Sequence, residues 1–276
     1  MSAASATGRL QIGGASLVYR KIDAAGGGSM PFVFQHGMGG DVNQPLGYIG
    51  DAPPSPVISL NARGHAPSSD IDPAAATFDT FADDVIALAD QLELARFLVG
   101  GISLGAGTAL NLAIRYPDRV AALVLCRPAW LDRPQAEFNC HTYTEIADLL
   151  EGCPPETAAA RYTQTRRYQI VRNISPAAAA SLLSQLTRPR AAQNAVILRA
   201  FPGSSPTGSI EDWRAVEVPT LVIGHHDDPF HPYEIAEAHA ETIPGATLRT
   251  VPSKDADPAR FAADIQTALH DFLRQL

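Results

Sequence analysis

The chain has 276 residues, 46% of them apolar, and a formal net charge of −8. This apolar content is enough for a large buried core and excludes an intrinsically disordered chain. The negative charge and the scattered basic residues argue against nucleic acid or an anionic membrane as a partner.

The first residues, MSAASATGRL, lack the apolar run of a signal peptide. The three cysteines are odd in number and have no CxxC spacing, which is typical of reduced thiols. We therefore expect a cytoplasmic protein.

The N-terminal region predicts strands. Residues 9–12 and 15–22 have the pattern of a hairpin that turns at Gly13 and Gly14. After a flexible loop predicted at Ala24–Gly28, the runs PFVFQHG and PVISLNARG each have the length and composition of a buried strand.

Helical and strand patterns then alternate. Phe78–Leu92 has apolar residues at helical spacing, and ARFLVGGIS, LGAGTALNLAIRYP and AALVLC follow as strand, helix and strand. Wholly apolar strands connected by helices predict an α/β fold with a mostly parallel central sheet flanked by helices.

The strand pattern stops from about residue 127 to 216, where helical stretches are predicted at 145–150, 155–169 and 176–186. It resumes at VPTLVIG, and the pattern then predicts a helix, a strand and a closing helix, at 232–242, 246–251 and 258–273. We divide the chain into an α/β core of residues 1–129 and 216–276 and an inserted helical cap of residues 130–215. The cap is expected over the carboxyl edge of the sheet, where ligands bind in such folds.

Two glycine-rich segments carry the chemistry. Gly101-Ile-Ser-Leu-Gly105 matches G-x-S-x-G between a predicted strand and a predicted helix, which indicates a nucleophile elbow with Ser103 as the nucleophile. FVFQHGMGGD is a strand followed by a loop that could bring backbone N–H groups to a substrate oxygen. The N–H groups of Met38 and Leu104 are the predicted oxyanion hole.

These motifs resemble those of the α/β-hydrolase fold family, and the resemblance runs from about residue 9 to the end of the chain. NARGHAPSS, at 61–69, partly resembles the family's D-x-R-G-x-G-x-S loop, with Asn61 and Ala66 as departures and Arg63 as an expected structural residue. The resemblance places the acid of a catalytic triad after the strand that follows the cap. Asp228, four residues before a proline, fits best; Asp227 is the alternative and Asp132 a more distant one.

The resemblance also places a histidine after the last strand, but Lys254 stands at or beside that position. Lysine has a reference pKa of about 10.4, and lowering it to near 7 costs roughly 4 kcal/mol, so Lys254 is a poor base beside an aspartate. A relocated histidine is the alternative, with His226 and His231 as the first to test. They belong to a set of loop histidines expected at the carboxyl edge of the sheet: His36, His65, His225, His226 and His231.

The leading functional hypothesis is a serine hydrolase, esterase-like, that acts on a small and fairly apolar ester or acyl substrate. Ser103, Asp228 and either Lys254 or a histidine would form the catalytic set. The alternative is a catalytically degenerate member that binds a small ligand or runs a lyase-type reaction. No cofactor is predicted because the glycines at 100–107 surround a serine and lack a dinucleotide fingerprint, and no metal site is predicted.

Overall fold

The computed structural model describes residues 5–25 and 30–276, and its centre is an eight-stranded sheet. The strands are β1 (Ser5–Ile12), β2 (Ala15–Ile22), β3 (Phe32–Gln35), β4 (Val57–Leu60), β5 (Phe97–Ile102), β6 (Val120–Cys126), β7 (Thr220–Gly224) and β8 (Thr247–Thr250). Their order is β1-β2-β4-β3-β5-β6-β7-β8. The pairs β1–β2 and β2–β4 are antiparallel, and all other neighbours are parallel.

Some of the α-helices cover the two faces of this sheet, and the others are inserted in the chain between β6 and β7. They are α1 (Gln44–Ile49), α2 (Phe78–Gln91), α3 (Leu104–Arg115), α4 (Glu137–Gly152), α5 (Pro155–Tyr162), α6 (Arg166–Ile174), α7 (Pro176–Thr187), α8 (Ala195–Ala200), α9 (Tyr233–Thr242) and α10 (Pro258–Leu273). Side chains of β5 alternate between two buried clusters, one under α2, α3 and α9 and the other under α1 and α10. Each face of a buried strand therefore needs its own helical cover, as the apolar strand sequences predicted.

The predicted hairpin, parallel sheet and flanking helices are confirmed. At the turn of the hairpin, Gly13 and Gly14 have φ of 54° and 79°, values that favour glycine. Residues 26–28 of the predicted loop lie outside the described residues. The helix predicted at 155–169 is two helices, α5 and α6, and the short helices α1 and α8 were not among the predicted elements. The break follows from Thr165, whose side chain accepts a hydrogen bond from the Tyr168 amide and so begins a new helix.

The inserted helices, α4 to α8, have a buried cluster of their own that also receives Phe230 from the loop after β7 and packs against Met38 from the loop after β3. Gln185 of α7 donates from Nε2 to the Met38 carbonyl at 3.2 Å. These contacts join the inserted helices to loops at the carboxyl ends of β3 and β7. Among the described residues, no helix is long and apolar enough to cross a bilayer.

Candidate active site

Ser103 lies on the tight turn between β5 and α3. Its φ of 55° and ψ of −109° are strained for a residue with a side chain. Both flanking glycines are required by close packing: a Cβ on Gly101 would overlap the backbone of Gly105, and a Cβ on Gly105 would lie 2.6 Å from the Gln35 carbonyl oxygen. The glycines thus let the turn pass close to β3, and Ser103 projects at the positive end of the α3 dipole.

His231 is the hydrogen-bond partner of Ser103. The imidazole Nε2 is 2.8 Å from Ser103 Oγ, and Nδ1 is 2.9 Å from Asp228 Oδ2. Asp228 and His231 both lie on the loop between β7 and α9, and the side chain of His231 is 13% exposed. Serine, histidine and aspartate are therefore connected in the order that a catalytic triad requires.

Asp228 is held ionised by its neighbours. Burial by itself would raise the pKa of Asp228, but His231, His225 and Arg127 favour the carboxylate and hold that pKa well below its ordinary value. Arg127 Nη2 is 2.5 Å from Asp228 Oδ2, and Oδ1 accepts from the Phe230 amide at 3.0 Å. The carboxylate is thus oriented from both sides.

Arg127 also lies beside His231, with 3.0 Å between Arg127 Nη2 and Nδ1 of the imidazole. If Nδ1 carries the proton, it donates to Asp228, and Nε2 is left to accept from the Ser103 hydroxyl. Arg127 Nη2 then donates to Asp228 and not to the imidazole, while Nη1 donates to the Tyr48 hydroxyl at 3.2 Å. Burial lowers the pKa of His231, the Arg127 cation lowers it further, and Asp228 opposes both. The imidazole is therefore neutral at pH 7, as a proton acceptor must be.

The loop after β3 is fixed by two neutral histidines. His36 Nε2 accepts from the Ala62 amide and His65 Nε2 accepts from the Gly39 amide, each at 3.0 Å. Burial lowers the pKa of His36 to about 4 and that of His65 well below its ordinary value, which keeps both nitrogens available as acceptors. These bonds occupy the amide of Gly39 and leave that of Met38 without an acceptor among the described residues.

The Leu104 amide, at the first position of α3, also has no acceptor within residues 5–25 and 30–276. Gly37 keeps the Met38 loop close to the nucleophile, since a Cβ on Gly37 would be 3.4 Å from the Ser103 Cβ. The two backbone N–H groups named from the sequence therefore have no acceptor in the described part of the chain, and both are close to Ser103.

The other site residues expected from the sequence have different surroundings. Lys254 is exposed and makes no ion pair with any described residue, although it lines the same cavity of about 420 Å³ as His231. Its neighbour Asp255 accepts hydrogen bonds from Ser175 and from the Ala177 amide at the start of α7, which ties the loop after β8 to the inserted helices. His226 is exposed and packs on Tyr233, with 4.0 Å between ring centroids.

Asp227 is also exposed, with a φ of 64°, whereas Asp228 is buried. Arg63 makes a two-pronged ion pair with Asp84, with both N–O distances at 2.7 Å. Sequence reasoning missed Arg127. Its position directly after β6, at the carboxyl edge of the sheet, was the available signal, but no motif marks it.

Comparison with known proteins agrees with this architecture. A family model described as the α/β hydrolase fold matches residues 30–256, and the chain belongs to that family. The enol-lactonase from Burkholderia xenovorans is similar in structure, with a TM-score of 0.76 and 22% identity over 97% of this chain and 100% of that one. A thermophilic esterase from Thermogutta terrifontis has a TM-score of 0.74 and 23% identity over 98% of both chains.

A curated relative also matches part of the chain. The dihydrolipoyllysine-residue acetyltransferase component of the acetoin cleaving system of Pseudomonas putida is 35% identical over 124 residues. That match covers 45% of this chain and only 33% of the relative. The family is established by the family model, and the two solved structures show the fold.

Proposed function

We propose that this protein is a serine hydrolase that cleaves a small ester or related acyl substrate. The observation that carries the proposal is the pair of hydrogen bonds that connects Ser103 to His231 at 2.8 Å and His231 to Asp228 at 2.9 Å. The esterase and the enol-lactonase named above have the same fold as this chain. This likeness supports an ester or a lactone, in preference to other acyl compounds, as the substrate proposed here.

In the proposed reaction Ser103 Oγ attacks the carbonyl carbon as its proton passes to His231 Nε2. Asp228 accepts a hydrogen bond from Nδ1 and stabilises the imidazolium that forms. The Met38 and Leu104 amides bind the oxyanion. The C–O bond then breaks, His231 returns its proton to the leaving alcohol, and water releases the acyl group by the reverse sequence of proton transfers.

In this proposal His231 is the general base. The sequence alone had left Lys254 and several histidines as candidates for that role. The geometry of His231 supports this choice because a base must lie within about 3.2 Å of the atom whose proton it removes, and Nε2 is 2.8 Å from Ser103 Oγ. Lys254 has no such contact with Ser103 among the described hydrogen bonds. We assign Lys254 to the wall of the cavity that it shares with His231.

The inserted helices act as the cap in this proposal. Tyr143 of α4 and Leu182 of α7 line the cavity with His231 and Phe230, and a volume of about 420 Å³ is suited to a small substrate. We further propose that the protein acts in the cytoplasm on small molecules; its three cysteines, all free thiols, support this location.

The proposal is tested by labelling with a fluorophosphonate and measuring intact mass for the wild type, Ser103→Ala and His231→Gln. We expect one label per chain in the wild type, none in Ser103→Ala, and strongly slowed labelling in His231→Gln. A folded wild-type protein that takes up no label between pH 6 and 10 would contradict the proposal and favour a ligand-binding role.

A further inference from the structure

Arg188, directly after α7, is partly buried and has no counterion among the described residues. Its Nε and Nη1 atoms are buried and have no hydrogen-bond partner among the described residues, and no carboxylate of those residues forms an ion pair with it. Burial lowers the pKa of Arg188 to about 10, so the side chain is still a cation at pH 7. A buried and unpaired charge is unfavourable, and a bound anion would offset that cost.

The guanidinium of Arg188 can occupy its position because residue 39 is a glycine. The φ of Gly39 is +76°, and a Cβ on Gly39 would overlap the guanidinium of Arg188. The cation therefore lies directly against the backbone of the loop that carries the Met38 amide. Because His65 holds the Gly39 amide at 3.0 Å, the backbone under Arg188 is fixed.

A second buried polar side chain lines the same cavity. Asn194 is 3% exposed, and neither its Oδ1 nor its Nδ2 has a hydrogen-bond partner among the described residues. Arg188 and Asn194 both line a cavity of about 440 Å³. His65 lines it too, but both of its ring nitrogens are within hydrogen-bond distance of backbone atoms, and Asp41 is exposed. Among the described residues, the buried donors of this cavity that have no partner thus come from one cation and one amide.

This cavity is next to the candidate active site. Asn43 and Gln44 line both it and the cavity that contains His231. Gly39 follows Gly37 by two residues, which span at most about 7 Å, and Gly37 packs against Ser103. One small substrate is therefore long enough to contact Arg188 at one end and the nucleophile, Ser103, at the other.

We propose that Arg188 and Asn194 form a subsite for a carboxylate of the substrate, so that the substrates are esters or lactones with a free carboxylate a short carbon chain from the scissile carbonyl. The planar guanidinium fork fits a carboxylate, and the single cation matches its single charge better than that of a phosphate dianion. This inference rests on the proposed hydrolase function and names its substrate class.

The experiment compares kcat/KM for two esters of equal acyl chain length, 4-nitrophenyl hydrogen glutarate and 4-nitrophenyl pentanoate. We expect the wild type to prefer the glutarate half-ester, and Arg188→Met to lower the ratio of the two values by about 10-fold to 100-fold. Arg188→Lys, which keeps the charge and loses the fork, should give an intermediate ratio. Arg172→Met, at an exposed arginine of α6, is the control and should leave the ratio unchanged.

A wild type that hydrolyses both esters equally, or an Arg188→Met variant that lowers both values equally, overturns the subsite and leaves the hydrolase proposal standing. If neither ester is cleaved and Ser103 takes up no fluorophosphonate, the hydrolase proposal fails, and calorimetric titration tests the subsite by itself. Glutarate that binds the wild type but not Arg188→Met would support the carboxylate site. Binding of inorganic phosphate alone, or of neither anion, would overturn it.

Discussion

His231 follows Asp228 by three residues, and the two side chains meet at 2.9 Å on the single loop between β7 and α9. Ser103 is 128 residues earlier in the chain, yet its Oγ is 2.8 Å from the same imidazole. The proposed base and acid are thus local to each other. The nucleophile reaches them only because β5, β6 and β7 are neighbours in the sheet.

The first prediction separates the three candidate bases. His231→Gln should lower kcat by at least about 10³-fold, because removal of a triad histidine has effects of this size or larger. Lys254→Met and His226→Gln, at exposed positions, should stay within about threefold of the wild type. Turnover of 4-nitrophenyl acetate checks this, with circular dichroism to verify folding. Loss of turnover in Lys254→Met with full activity in His231→Gln would assign the base to the loop after β8.

The second prediction concerns Arg127. The base must be neutral, so kcat/KM should fall as the pH drops through the pKa of His231, which burial and Arg127 place below the ordinary histidine value. Arg127→Met removes a cation that opposes protonation, while Asp228 still favours it. The acid limb of the pH profile should therefore move to higher pH. An unchanged or lower midpoint would show that Arg127 does not act on the imidazole, and Arg172→Met controls for loss of a charge elsewhere.

The third prediction contrasts two glycines. In Gly105→Ala the new Cβ would lie 2.6 Å from the Gln35 carbonyl oxygen and 2.7 Å from that of His36, which pushes α3 away from the loop after β3. We expect a loss of about 3 kcal/mol in the free energy of unfolding and loss of activity, since Leu104 moves relative to Met38. Urea unfolding measures the first effect and ester turnover the second.

Gly152, the last residue of α4, is the matched control. No atom lies within 4 Å of a Cβ built there. Gly152→Ala should raise the free energy of unfolding by about 0.5 to 1 kcal/mol, because alanine loses less backbone entropy in a helix. Equal destabilisation by both substitutions would mean that packing at the elbow is not the cause.

The fourth prediction links stability to pH through His239. This histidine is 2% exposed, stacks on Trp213 at 4.1 Å between ring centroids, and has a pKa that burial lowers to about 4. The unfolded chain binds a proton near pH 6.5 and the folded chain does not, so the contribution is complete above pH 6.5 and is lost as the pH falls towards 4. The loss at pH 4 is roughly 3 kcal/mol for this one group.

His239→Phe keeps an aromatic ring on Trp213 and removes the titration. The free energy of unfolding of this variant should therefore depend less steeply on pH between 6.5 and 4 than that of the wild type. Urea denaturation at a series of pH values measures both slopes. Equal slopes for the variant and the wild type would show that the pKa of His239 is not lowered in the folded protein.

Most of the sheet was predictable from local pattern. Apolar runs such as VISL and FLVGGI mark strands covered on both faces, and helix ends follow from nearby residues, as Asp257 shows by capping the first turn of α10. The division of 155–169 into two helices was not predicted, because alanine and arginine favour helix on both sides of Thr165. There the cap at Thr165 decided the structure against the propensity of its neighbours.

In the candidate site, too, some features follow from the local sequence and others depend on the tertiary structure. The G-x-S-x-G turn places Ser103 by itself, because Gly101 and Gly105 permit a backbone that other residues do not. The residue that contacts Ser103 depends on where loops from β6, β7 and β8 meet, and the sequence therefore left Lys254 and several histidines as alternatives. Only the tertiary structure brought His231 to Ser103, placed Arg127 beside it and packed Arg188 against Gly39. Hydrogen bonds and charges act over a few ångströms in space, and residues far apart in the chain reach those distances only through the packed sheet.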